Sequence, residues 1–303
     1  MIWVYIIIGL LIFFVPVVSF ICFRMTFYTS RRIKTPEMIL DKLYEPYMDY
    51  MKQCEKQAGD LPHKDIDITA FDGLKLHGKY FEHSPDSPIE LMMHGYRGSA
   101  MRDLSGGILR GFQLGHSVLL VDQRCCGLSD GHVITFGIRE YRDCLSWIDY
   151  LVNTFGKDRK IILTGISMGA ATVLITAGQK LPGNVIGVLA DCGYSSAKEI
   201  ICSVIRSMKL PPKLLYPFVK LGAKLYGRFD PEETSPMEAL KHSTVPVLFI
   251  HGEADGFVPC YMSKRNYDAC TSPKRLVTIP GAGHCLCYPV DPERYMQELK
   301  DFF

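Results

Sequence analysis

The sequence predicts an α/β fold: a mostly parallel central sheet with an N-terminal antiparallel hairpin, helices on both faces and a small helical lid, preceded by one transmembrane helix. Three observations predict it. From Ile89 onward short apolar runs alternate with helix-length segments, the rhythm that right-handed crossovers impose on a parallel sheet. The interval from Asp191 to Val245 breaks that rhythm with two apolar-periodic stretches divided by Pro211-Pro212, which reads as an inserted lid over about 195–240. An uncharged stretch, Ile2 to Phe23, opens the chain.

As a helix the opening run would be roughly 33 Å long, against a hydrocarbon core of about 30 Å. No basic region precedes it and no A-x-A-like site ends it, which favours a retained anchor in the lipid bilayer over a cleaved signal. Pro16 is a candidate kink. Arg24, Arg31, Arg32 and Lys34 all follow the run, and the positive-inside rule then keeps the rest of a single-pass chain in the cytoplasm. The eleven cysteines agree: the number is odd, the spacing irregular, and Cys125 and Cys126 are adjacent, as suits free thiols better than a disulfide framework.

The expected organisation is an anchor over 1–24, a basic juxtamembrane segment and stalk helix over 25–63, and one domain over 64–303. Thr35-Pro36 starts the stalk helix in the order cap then proline, and its pattern runs to about Gln57. Asp65 to Phe71 alternates polar and apolar, Asp72-Gly73 is a hairpin turn, and Leu74 to Phe81 returns as the partner strand. Strands then follow near Ile89–Met93, Ser117–Val121, Lys160–Leu163, Val185–Ala190, Val245–Ile250 and Leu276–Ile279.

Composition excludes some functions. A formal net charge of +2 leaves no basic surplus beyond the juxtamembrane cluster, so no nucleic-acid partner is expected. Phosphate loops and paired carboxylate sites are absent from the pattern, and Cys285-Leu-Cys287 lacks a second pair at a matching spacing. Neither a metal nor a cofactor is therefore expected.

The chemistry centres on Gly165-Ile-Ser167-Met-Gly169, which joins a strand to a helix. A serine on such a sharp turn can present its hydroxyl only if both flanking positions lack a Cβ. Acyl transfer also needs a base and an acid at neighbouring strand ends. Asp255 follows the strand at Val247–Ile250, and His284 follows the strand at Leu276–Ile279, giving the order nucleophile, acid, base. Asp191, also at a strand end, is a rival acid. His94-Gly95-Tyr96-Arg97-Gly98 follows the strand ending at Met93, so the backbone N–H groups of Tyr96 and Met168 are the expected oxyanion donors. His94 reads as a structural residue beside that loop, and His251 as one that shapes the Asp255 loop. His116, His132 and His242 have no partner pattern.

By these motifs, and by Val121-Asp-Gln-Arg124-Cys-Cys-Gly127-Leu-Ser129-Asp-Gly131, the chain resembles the α/β-hydrolase superfamily from about Lys64 to its end. Its motifs look most like the serine-aminopeptidase-like branch, with its membrane-anchored lipases, esterases and thioesterases. The resemblance implies hydrolysis of a small acyl substrate, an ester, thioester or amide, through an acyl-enzyme at Ser167. It assigns Asp122 and Arg124 a packing role. It departs from the usual pattern where Cys125-Cys126 stands in place of a glycine. A peptidase and a non-catalytic scaffold at the membrane are the alternative readings.

Overall fold

The computed structural model describes residues 2–29 and 42–303, with side chains from residue 13 onward. The expected helix start at Thr35 and the basic residues Arg31, Arg32 and Lys34 lie outside the described residues. Eight strands form one sheet: β1 (Lys64–Thr69), β2 (Lys75–Phe81), β3 (Ile89–Met93), β4 (Ser117–Val121), β5 (Ile161–Ile166), β6 (Val185–Asp191), β7 (Val247–Gly252) and β8 (Lys274–Ile279). Their order is β1-β2-β4-β3-β5-β6-β7-β8. β1 and β2 pair antiparallel, as do β2 and β4, and every later pairing is parallel. The hairpin turn needs Gly73, whose φ is +88°, a conformation that costs a side-chain-bearing residue.

Each central strand is buried on both faces because its alternate side chains enter different cores. Leu91, Met93, Leu119, Val121, Val188 and Phe249 pack with helices α4 (Glu140–Phe155) and α5 (Met168–Ala177). Their neighbours Met92, Val118 and Leu120 face α2 (Met48–Gly59) and α3 (Ala100–Gln113). Leu189, Leu248 and Ile250 face the C-terminal helix, Pro292–Phe302, through Tyr295 and Leu299. A short 3-10 turn, Lys42–Tyr47, leads into α2, so the described part of the expected stalk is helical and docked on α3.

A fourth apolar cluster lies at the C-terminal ends of the strands. There α6 (Ala197–Ser207) and α7 (Pro212–Gly222) fill the lid interval, with Pro212 opening α7 where its missing N–H costs nothing. They contribute Ile200, Ile201, Ile205, Tyr216 and Val219 to this cluster.

The opening helix α1 (Ile2–Thr26) departs from the expected free-standing span. Ser19, Phe23 and Phe27 recur every four residues and are buried, and Phe23 and Phe27 join the lid cluster. A Cβ on Gly222 of α7 would sit 2.3 Å from the Ser19 carbonyl oxygen, so the two helices meet backbone to backbone. The physical reason is shared apolarity: the side of α1 that carries Phe23 and Phe27 finds an apolar partner in the lid. Among the residues whose side chains are described, which begin at residue 13, no helix is long and apolar enough to cross a membrane. Phe13, Phe20, Ile21 and Met25 nevertheless remain exposed.

Candidate active site

Ser167 stands between β5 and α5 with φ 54° and ψ −114°, a strained conformation for a residue with a Cβ. The turn is closed too tightly for anything but glycine on either side. A Cβ on Gly165 would meet the Gly169 carbonyl oxygen at 2.2 Å, and one on Gly169 would meet the Met93 carbonyl oxygen at 2.0 Å. The Ser167 N–H donates to the Asp191 carbonyl at 2.9 Å, which pins the turn to the end of β6.

The structure brings Ser167, His284 and Asp255 together from the ends of three strands. His284 Nε2 lies 3.0 Å from Ser167 Oγ, and its Nδ1 lies 2.7 Å from Asp255 Oδ2. Asp255 Oδ1 accepts the N–H groups of Phe257 and Val258 at 2.9 and 2.8 Å. Its Oδ2 also lies 3.2 Å from Nε2 of the fully buried His251. That ring is itself held by the Val258 carbonyl at 2.8 Å and the Ser263 hydroxyl at 2.6 Å, so His251 braces the Asp255 loop. The Tyr44 hydroxyl, from the turn before α2, donates to the His284 carbonyl.

Charge follows this geometry. Burial disfavours the Asp255 carboxylate, but its bonds from His251 and His284 outweigh burial and hold the carboxyl well below the usual range. Burial likewise opposes an imidazolium at His284, yet its contacts with Cys192 and Asp255 hold its pKa above the ordinary imidazole value. The Cys192 thiol is pushed well up by burial. It is therefore neutral near pH 7, which leaves Asp255 as the anion that acts on His284 there.

The rival acid sits elsewhere. Asp191 is buried, takes the Tyr295 hydroxyl on Oδ2 at 3.0 Å, and has its carboxyl pKa raised by burial.

The loop expected to supply an oxyanion donor lies against the nucleophile: a Cβ on Gly95 would be 3.7 Å from the Ser167 Cβ. His94 is fully buried beneath it. Its Nδ1–H donates to the Gly95 carbonyl at 2.7 Å, and its Nε2 accepts the Gln123 N–H at 3.0 Å. Its place is structural. Of the two expected oxyanion donors, Met168 directly follows Ser167 as the first residue of α5, and Tyr96 directly follows Gly95. Sequence reasoning missed what fixes this loop. The Tyr96 hydroxyl donates to the Thr26 carbonyl at 2.7 Å, and Arg97 donates to the carbonyls of Met25 and Tyr28 at 2.9 and 3.0 Å. These groups cap carbonyls that the end of α1 leaves without helical partners, and Arg97 takes φ +53° to reach them.

The Asp122–Gly131 loop is a brace. Asp122 accepts the N–H groups of Ala100 and Leu128, both at 2.9 Å, and Arg124 forks onto Asp143 at 2.6 Å. Cys125, where the resemblance leads one to expect glycine, holds φ +69°, so the loop keeps a glycine-like conformation with a thiol in it. A second network that motif reading did not find is buried beside β3. There Glu90 binds Arg110, His116 at 2.8 Å and Thr164 at 3.1 Å.

Over residues 91–298 the chain matches the family model described as "Alpha/beta hydrolase family". The Bacillus subtilis protein YqkD is 30% identical over 190 residues, covering 62% of each chain, so the chain spans about three fifths of that relative's length. The Mycobacterium tuberculosis H37Rv protein Rv2307c is 29% identical over 225 residues, 73% of this chain and 72% of that one. Among solved structures, the Pyrococcus furiosus esterase PF2001 superposes with a TM-score of 0.64 at 23% identity, covering 82% of this chain and 92% of its own. That likeness is one of fold.

Proposed function

The chain belongs to the alpha/beta hydrolase family, and from that premise we propose that it is a serine hydrolase of acyl esters or thioesters. The observation that carries the reading is one imidazole shared between Ser167 and Asp255, at 3.0 and 2.7 Å. His284 Nε2 takes the Ser167 proton as Oγ attacks the acyl carbon, and Asp255 holds the Nδ1–H tautomer and stabilises the imidazolium that forms. The backbone N–H groups of Met168 and Tyr96 receive the oxyanion, each contributing about 3 kcal/mol of transition-state stabilisation. The imidazolium then protonates the leaving alcohol or thiol, and water, activated by the same nitrogen, releases the acid.

The surroundings support an amphiphilic acyl group. Tyr96, Phe136, Met168, Tyr194 and Val258 belong to one apolar cluster with the lid residues Ile200 and Ile205, and the gain from burying an acyl chain against such surroundings grows with each CH2. Exposed Phe20, Ile21 and Met25 on α1, with Met208, Leu210 and Leu214 between and on the lid helices, support seating at a membrane surface.

The test is a panel of esters and thioesters of increasing chain length beside short aminoacyl amides, assayed on the full chain. The reading expects kcat/KM to rise with acyl length. Preference for aminoacyl amides over every acyl ester would replace it with a peptidase.

A further inference from the structure

Two thiols that acyl transfer does not use flank the base. Cys192 directly follows β6, and its N–H is bound to the Ile250 carbonyl at 2.9 Å. Cys285 directly follows His284. The residues are far apart in sequence, yet their Sγ atoms lie 3.3 Å apart. Ligand atoms of Cys192, Cys285 and His284 all fall within 4.8 Å of one another. Both cysteines hold left-handed backbone conformations, φ +49° and +56°, which the bonds around them fix rather than their own preference.

We propose that Cys192, Cys285 and His284 form a three-ligand site for a thiophilic divalent cation, zinc above all, and that the bound cation switches the hydrolase off. The donor set is two thiolates and an imidazole, the class that selects zinc over magnesium or calcium. Donors shared by one tetrahedral zinc stand roughly 3.5–3.8 Å apart, given bonds of about 2.3 Å to sulfur and 2.0–2.1 Å to nitrogen. The contact between the two thiols is within a few tenths of an ångström of that spacing. An S–S distance of 3.3 Å is a non-bonded contact, since a disulfide would close to about 2.05 Å.

The fit extends to the second layer. Asp255 already takes the Nδ1–H of His284, the carboxylate–histidine arrangement that fixes the tautomer in zinc sites. It leaves Nε2 with the lone pair that either accepts the Ser167 proton or binds metal, and cannot do both at once. Cys285 and His284 are partly accessible while Cys192 is buried, so the cation has an entry side and a closed end. Ligation releases the two thiol protons to solvent, and the fourth position is left for water. The inhibition rests on the serine-hydrolase reading; the binding does not.

The two parts are tested separately. Cobalt(II), a coloured stand-in for zinc, is titrated by equilibrium dialysis and absorption into the Ser167→Ala chain, where no turnover is involved. One equivalent with a thiolate-to-cobalt charge-transfer band is expected. Cys192→Ser and Cys285→Ser, each added to that background and checked by circular dichroism, should weaken binding by more than the roughly 10–100-fold that losing an outer partner costs. In the otherwise natural chain, zinc should abolish ester hydrolysis and a chelator restore it. Each cysteine variant, measured against its own chelated activity, should need at least about tenfold more zinc. Absence of the thiolate band, or equal cobalt affinity in folded cysteine variants, overturns the site. A cobalt band in a chain that hydrolyses no ester keeps the site and rejects the hydrolase reading instead. If a cysteine variant fails to fold, the Cys→Ala exchange at the same position takes its place.

Discussion

Asp191 and Asp255 are both buried carboxylates at the C-terminal ends of neighbouring strands, and either would satisfy a motif search for a catalytic acid. Their surroundings separate them. Asp255 faces two imidazoles and two backbone N–H groups, so its ionised form is favoured. Asp191 takes a phenol hydroxyl that favours its ionised form, but burial outweighs it, so its neutral form is favoured. Position in the fold nominates a residue, and what surrounds the carboxyl decides its role.

The largest effect that sharpens this contrast is on turnover. Asp255→Asn should lower kcat by about 10⁴-fold, because the amide stabilises the wrong tautomer of His284. Asp191→Asn should stay within about tenfold of the natural chain, since its side chain bonds neither Ser167 nor His284 and the exchange leaves in place the backbone carbonyl that holds the Ser167 N–H. Steady-state rates on one activated ester compare the two, and an equal loss in both would erase the distinction.

A smaller effect lies in the pH profile. His284 works as a base only when neutral, so kcat/KM must rise with pH through its titration. Because the pKa of His284 is held above the ordinary value, that limb should have its midpoint above about 6.5. Removing the Asp255 charge should move it down by about one pH unit, while Asp191→Asn should leave it in place. Profiles of kcat/KM for the three chains read this directly.

The smallest effect is on stability, where the two carboxyls have opposite signs. The folded-state pKa of Asp255 is depressed, so its contribution is present above the unfolded value of about 3.9 and lost as pH falls through the folded one. The folded-state pKa of Asp191 is raised, so its carboxyl favours the native state only while protonated, and a cost develops as pH rises above about 3.9. Relative to the natural chain, Asp255→Asn should show a deficit that builds up as pH rises to about 3.9 and persists above it, and Asp191→Asn a gain that builds up as pH rises above about 3.9. Each change should be on the order of 1 kcal/mol. Urea midpoints across pH decide it, and parallel curves for the two variants would refute the opposed signs.

Much of this was legible in the residues. Strand positions from Ile89 to Ile279 agree to within three residues, because strands buried on both faces are continuous apolar runs. The turn at Ser167 was legible because only glycine fits at 165 and 169. The rest depended on partners distant in the chain. Nothing local in Tyr96-Arg97 shows that it clasps the end of α1. Glu90, within an apolar strand, gave no sign of Arg110. The local spacing Cys285-Leu-Cys287 drew attention to a pair that does not form, while the pair that does, Cys192 and Cys285, is invisible to any spacing rule. Nor does the apolar run that opens the chain show that its end at Phe23 and Phe27 packs on the lid helices.

The measurement closest to the central claim is fluorophosphonate labelling of the full chain and of its Ser167→Ala variant, with the modified peptide located by mass spectrometry. The account predicts one adduct per chain, on Ser167, and none in the folded variant. A folded natural chain that stays unlabelled, or a variant labelled as fully as the natural chain, would contradict it.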